Sequence, residues 1–238
     1  MKFSVRVNEV KNMDGNIRGF ATVVFDNSFK VTNIAILENK ERGQLFVSMP
    51  RYKSNERDEN GNVYKDVCNP ITKEFREELY GNILEAYENL QKQDQEQERE
   101  HQEFRDTPEF SVSVTPYERE GSNIKGLARI YFEDSFIVNN VNILQGKENL
   151  FVAMPSYKTK QTDEHGKPVY QEVCYPVTKE FREKLYKEIL STYEWEIHQR
   201  EDRNRKQGQK KERSGNIEHP HAKYQSRSQE QGRSASFR

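Results

Sequence analysis

Two short stretches of this 238-residue chain carry residue types suited to holding a polyanion. Arg51, Tyr52, Lys53 and Arg57 follow one Met-Pro pair, and Tyr157, Lys158 and Lys160 follow a second in the latter half. Arginine and lysine can contact phosphate oxygens, and a tyrosine among them can stack on an unpaired base. Glu56, Asp58 and Glu59 dilute the first stretch, so the plain alternative is a solvated loop. A denser basic run lies near the end: Arg200, Arg203, Arg205, Lys206, Lys210, Lys211 and Arg213. Runs of this kind attract polyanions nonspecifically by releasing counterions. The plain alternative there is a solubilising tail.

Other chemistries find no support in the residues. No GxSxG, HExxH or Gly-rich phosphate loop occurs, nor a defensible pair of catalytic carboxylates. His219-Pro220-His221 is the one close histidine pair, and its proline makes ligation of a metal unfavourable. The chain therefore reads as a non-enzyme with no cofactor and no metal. Its two cysteines, Cys68 and Cys174, form neither a disulfide framework nor a CxxC pair. They read as small buried hydrophobes. No run approaches the ~18 apolar residues of a membrane helix. The N-terminus alternates at once, without a signal-peptide apolar region. A cytoplasmic location away from membranes is expected.

The elements that must position the basic stretches come as a repeat. LFVSMP at 45–50 recurs as LFVAMP at 150–155, and VYKDVCNPITKEFREELY at 63–80 recurs as VYQEVCYPVTKEFREKLY at 169–186. Two copies of one domain follow, at residues 1–92 and 110–198. A Gln/Glu-rich linker at 93–109 separates them, and a basic tail at 199–238, read as disordered past the first turn or two, closes the chain. Only 33% of residues are hydrophobic, low for a single core of this length, and two small domains diluted by polar segments account for it. The net charge of −1 likewise averages an acidic linker against a basic tail.

Within a copy, Phe3, Val5 and Val7 alternate with polar residues, a half-buried strand. Asp14-Gly15 marks a hairpin, Ile17–Phe25 a second strand and Asp26-Asn27-Ser28 a turn. Phe29 and Val31 share one parity while Ile34 and Ile36 share the other, and copy two switches at the same place. This predicts a β-bulge near Asn33 and Asn140. A fourth strand spans 45–49, a polar loop follows, and a fifth strand spans 63–68. Thr72 and Thr178 cap helices whose apolar faces run Phe75, Leu79, Ile83, Tyr87 and Phe181, Leu185, Ile189, Tyr193. Ile71, Leu90 and Val177 continue those faces. Arg76 and Arg182, beside acids, read as surface ion-pair partners; the tyrosines, Tyr64 included, read as core or sheet-face aromatics, and Trp195 as packed on a neighbour. The fold class is α+β: two copies of a small antiparallel sheet with a C-terminal helix on one face.

Three pieces in each copy resemble the SpoVG family of bacterial septation and regulatory proteins. One is the strand carrying Asp26, Phe29, Val31 and Ile34, matched by Glu133 or Asp134, with Phe136, Val138 and Val141. The second is LFVSMP or LFVAMP with its basic continuation. The third is the strand ending in a proline before a threonine-capped helix. The resemblance implies a small α+β domain that dimerises, and a DNA- or RNA-binding regulator linked to septation and sporulation. That family has one domain per chain and basic residues directly after Met-Pro-Ser; here two domains are fused and Tyr52 or Tyr157 interrupts the bases. Two fused copies can pair within one chain, an intrachain pseudo-dimer, with further homo-oligomerisation left open. The competing reading is a protein-interaction adaptor in cell division.

Overall fold

The computed structural model describes residues 1–10, 15–54, 57, 61, 63–92 and 107–215. In copy one, β1 (Phe3–Glu9), β2 (Ile17–Phe25) and β3 (Phe29–Asn39) form an antiparallel meander, and β4 (Gln44–Ser48) pairs with the far end of β3. A small ribbon of β5 (Arg51–Lys53) and β6 (Tyr64–Asp66) follows, then β7 (Cys68–Pro70) and helix α1 (Lys73–Lys92). Copy two repeats the order. Its elements are β8 (Phe110–Pro116), β9 (Ile124–Phe132), β10 (Phe136–Gln145), β11 (Leu150–Ala153), the ribbon β12 (Ser156–Thr162) and β13 (Pro168–Glu172), β14 (Cys174–Pro176) and α2 (Lys179–Gly215).

The turn between β2 and β3 holds Asp26 and Asn27 at φ 43° and 50°, with Ser28 N–H donating to the Phe25 carbonyl at 2.9 Å. Two left-handed central residues make the primed turn whose twist suits a hairpin. Glu133 and Asp134 repeat it. The predicted bulge is present in both copies: Asn33 and Asn140 stand at φ 60° and 57°, where the registers of β3 and β10 shift. Asparagine is among the side chains that tolerate this conformation best.

The bulge divides β3 into two working halves. Beyond it, Ala35 to Asn39 pair with β4 of the same copy; before it, Phe29 to Val31 pair with β14 of the other copy. Likewise β10 pairs with its own β11 and with β7 of copy one. The copies thus exchange equivalent three-residue strands, an isologous contact. Bulge residues fasten it: Thr32 N–H and Oγ1 both donate to the Val173 carbonyl, at 2.8 and 3.0 Å, and Asn139 N–H donates to the Val67 carbonyl at 2.8 Å. Phe25 meets Phe136 at 4.9 Å and Phe29 meets Phe132 at 4.8 Å between ring centroids. One core runs through both sheets, and Met1–His198 forms one compact unit. Where the sequence suggests a core for each copy, the exchanged strands and these aromatic pairs merge them.

Each helix covers the inner face of its own sheet. Phe75, Leu79, Ile83 and Tyr87 are buried, as are Phe181, Leu185 and Ile189, with Tyr193 half-buried; Ile71, Leu90 and Val177 fall on the exposed margin. Thr72 and Thr178 cap as expected, their Oγ1 accepting from Phe75 N–H at 3.3 Å and Phe181 N–H at 3.2 Å. Arg76 and Arg182 depart from expectation: each donates to the carbonyl of the proline ending the exchanged strand, Pro70 at 3.2 Å and Pro176 at 3.1 Å. A charged donor to a carbonyl outcompetes a solvent-exposed ion pair at this position. Trp195 is exposed rather than packed on a neighbour. Helix α2 continues to Gly215, well past the end of its apolar face, on residues of good intrinsic helix propensity. The linker at 93–106 and the tail from 216 lie outside the described residues.

Candidate functional site

The sequence places a polar loop after each Met-Pro; the chain forms a two-stranded ribbon there. Strand alternation then decides which side chains share a face. On β5, Arg51 and Lys53 share one face, and their cross-strand partners are Asp66 and Tyr64. On the longer second ribbon, Ser156 opposes Glu172, Lys158 opposes Tyr170, and Lys160 lies farther out, exposed. Each ribbon therefore sets a lysine directly against a solvent-facing tyrosine. Tyr64 is 57% exposed and Tyr170 62%.

The aromatic assignment changes accordingly. Tyr52 turns to the other face, half-buried against the core, and its partner across the ribbon is Lys65. Tyr157 is exposed, but its phenol donates to Gln171 Oε1 at 2.7 Å. Tyr64 and Tyr170 present the freer ring surfaces; Tyr64, expected in the core or on a sheet face, stands on the solvent face of the ribbon. The signal was available in the parity: Tyr64 lies two positions from Asp66, on the solvent side of a short alternating strand.

Arg51 Nε donates to Asp66 Oδ1 at 2.8 Å, which fixes the guanidinium while leaving Arg51 half-exposed. Burial pushes the Tyr80 phenol on α1 above the ordinary tyrosine value, with the Arg76 guanidinium pulling against it and Asp66 adding to the rise. Arg57 is exposed on the connection between β5 and β6. Arg203, Arg205 and Lys206 are exposed on α2, with Arg203 Nε donating to the Gln199 carbonyl at 3.1 Å and Arg205 3.9 Å from Asp202. Lys210, Lys211 and Arg213 belong to the backbone of the same helix.

The strand exchange brings a further set of residues to the first ribbon. Because β7 lies along β10, the base of the β5–β6 ribbon faces the outer side of copy two's sheet. A cleft of ≈ 690 Å³ opens there, reached by Arg51, Tyr64 and Lys65 from copy one and by Arg129, Asn139 and Asn140 from copy two. Neither Lys65 nor Arg129 belongs to the basic stretches that sequence reading selects. Arg129 sits in β9, far along the chain, and only the exchange places it on the same cleft as Arg51. Among the described residues, no group of three or more His, Cys, Asp or Glu could hold a metal ion, and no helix is long and apolar enough to cross a membrane.

Comparison with known proteins agrees with the repeat. A family profile described as SpoVG matches residues 1–89 and again 108–195. A putative septation protein SpoVG of Treponema denticola is 35% identical over 74 residues, covering 31% of this chain and 73% of that protein. One from Phytoplasma australiense is 36% identical over 73 residues, 31% of this chain and 70% of its own length. One from Clostridium perfringens is 31% identical over 83 residues, 35% and 84%.

Proposed function

The chain belongs to the SpoVG family, whose domain it carries twice in tandem, and from that premise we propose that it is a nucleic-acid-binding regulator with a septation-related role. The observation that carries this reading is the pairing of a lysine against an exposed tyrosine on both ribbons, Lys53 with Tyr64 and Lys158 with Tyr170. A cation for the phosphate and an aromatic face for the base, a strand spacing apart, is the minimal set for a nucleic-acid strand. The basic stretch of α2, with Arg203, Arg205 and Lys206 exposed, adds nonspecific attraction. The reciprocal strand exchange supports a single chain doing what two one-domain relatives would do as a pair. A regulator of DNA or RNA in the cytoplasm fits these features together.

A mobility-shift assay tests the reading. Converting Arg51, Lys53, Lys158 and Lys160 to Glu is expected to weaken binding of mixed-sequence DNA or RNA by at least about tenfold, leaving salt-sensitive residual binding from the tail. Unchanged affinity in that variant overturns the site.

An adaptor function in division is the second reading. It is favoured by Phe20 and Phe46 on the outer face of one sheet and Leu127 and Phe151 on the other, all exposed and at equivalent positions. Pull-down of a division protein that is lost on Phe46→Ser and Phe151→Ser, with nucleic-acid binding absent, would favour it.

A further inference from the structure

The two copies agree in backbone but not in what they place at the composite clefts. Among the described residues, the cleft of the first ribbon is lined by Arg51, Lys65 and Arg129 and by the acid Asp66. At the equivalent positions around the second ribbon stand Ser156, Gln171 and Thr22, with Glu172 for Asp66. The second surround keeps cations of its own, differently placed. The Lys30 ammonium lies 5.7 Å over the ring of Tyr175, the residue that replaces Asn69, and Arg6 opposes Thr22 on β1, one strand farther out. The first cleft is thus a polar recess lined by three cations, and the second surround has an aromatic ring where the first has an asparagine amide.

Resting on the nucleic-acid reading above, we propose that the chain holds one unpaired nucleotide, in the first cleft only. The volume, ≈ 690 Å³, is in the range of small-molecule sites and large enough for a nucleotide. A base reaches a recess of this kind only when it is outside a duplex. Arg51, Lys65 and Arg129 line the recess and supply cations for the phosphate, and Tyr64 offers an exposed ring for stacking; Asn140 and the Oδ1 of Asn139, whose Nδ2 donates to the Asp66 carbonyl at 3.4 Å, bring amide groups suited to base edges. Since the cations come from both copies, the site exists only in the paired arrangement. Fusion permits what two identical chains cannot have, a single site on an otherwise two-fold frame.

The test compares two double variants of equal net charge in the full chain: Lys65→Ala with Arg129→Ala, and Arg6→Ala with Lys30→Ala. Fluorescence anisotropy follows a labelled single-stranded hexanucleotide, as DNA and as RNA, and the matching duplex. The first double variant is expected to lose about tenfold in single-strand affinity, the second less than about twofold, and wild type to take one hexanucleotide per chain and to prefer it over the duplex. Equal losses in the two variants, two equivalents bound, or preference for the duplex overturns the proposal. If both bind as wild type does while the ribbon reversal Arg51, Lys53, Lys158 and Lys160 to Glu weakens binding, the cleft assignment fails and the functional reading stands. If wild type binds no nucleic acid, both fail. Arg129→Gln, with circular dichroism to confirm folding, repeats the test at one exposed position.

Discussion

Asp26 opens a turn where the two copies meet, and only 6% of it is exposed. Its Oδ1 accepts from Lys2 N–H at 3.1 Å, while Oδ2 is buried with no hydrogen-bond partner. Burial raises its pKa above the ordinary carboxylate value, and Glu133 pushes the same way; Lys2 and the N-terminal ammonium, which itself pairs with Glu133, pull against them. A raised folded value means that stability is full below the unfolded pKa, ~3.9, and declines as pH rises through the folded one. Asp26→Asn keeps the Oδ1 acceptor and tolerates the positive φ. The variant is expected to melt higher than wild type at pH 7, with the gap closing towards pH 3; a lower melting temperature at pH 7 would contradict this account. Cys68 and Cys174, read from sequence as buried hydrophobes, are free and fully buried. Hydrogen bonding with Cys174, then burial, holds the Cys68 thiol well above its usual value. Both thiols should resist a thiol-specific reagent in the folded protein at pH 8 and react after unfolding. Stability should also fall above about pH 8.5, as unfolded thiols ionise and folded Cys68 does not.

At the scale of elements, repetition made much of the fold legible. The parity switch located the bulges at Asn33 and Asn140, the apolar spacing located α1 and the first half of α2, and Thr72 and Thr178 marked their starts. Removing either cap by Thr→Ala should cost about 1 kcal/mol in denaturant unfolding; no loss would mean the Oγ1 bonds contribute nothing net. The strand exchange was not legible, for a physical reason. Cys68–Pro70 and Cys174–Pro176 are three residues long with the same pattern, and β3 and β10 offer equivalent edges. Nothing local distinguishes a copy's own edge from the other's, so the choice is made by tertiary contact. The cleft was hidden for the same reason, since Arg129 and Arg51 come to line one cavity only through that choice. Gly19 and Gly126 show the other limit: a Cβ on Gly19 would lie 2.9 Å from the Asn8 carbonyl and 3.2 Å from the Tyr87 ring, and one on Gly126 3.0 Å from the Tyr193 ring. These close approaches seat each helix, and no periodicity announces them.

For the molecule as a whole, the shared core predicts how the halves behave alone. Residues 1–92, expressed separately, would lack β14 on the free edge of β3 and lack Phe132 and Phe136 against Phe29 and Phe25. Light scattering is expected to find this half as a dimer, with a second copy supplying β7, and the full chain as a monomer. A stable, folded monomer of residues 1–92 would show that the exchange is dispensable. The central claim, that this fused pair binds nucleic acid through its ribbons, is tested most directly by ultraviolet crosslinking to DNA and RNA, sequencing of what is bound and mapping of the crosslinked peptides. The account predicts crosslinks on the peptides carrying Tyr64 and Tyr170, enriched at Tyr64, that survive deletion of the segment beyond residue 198; crosslinks confined to that segment, or none at all, would contradict it.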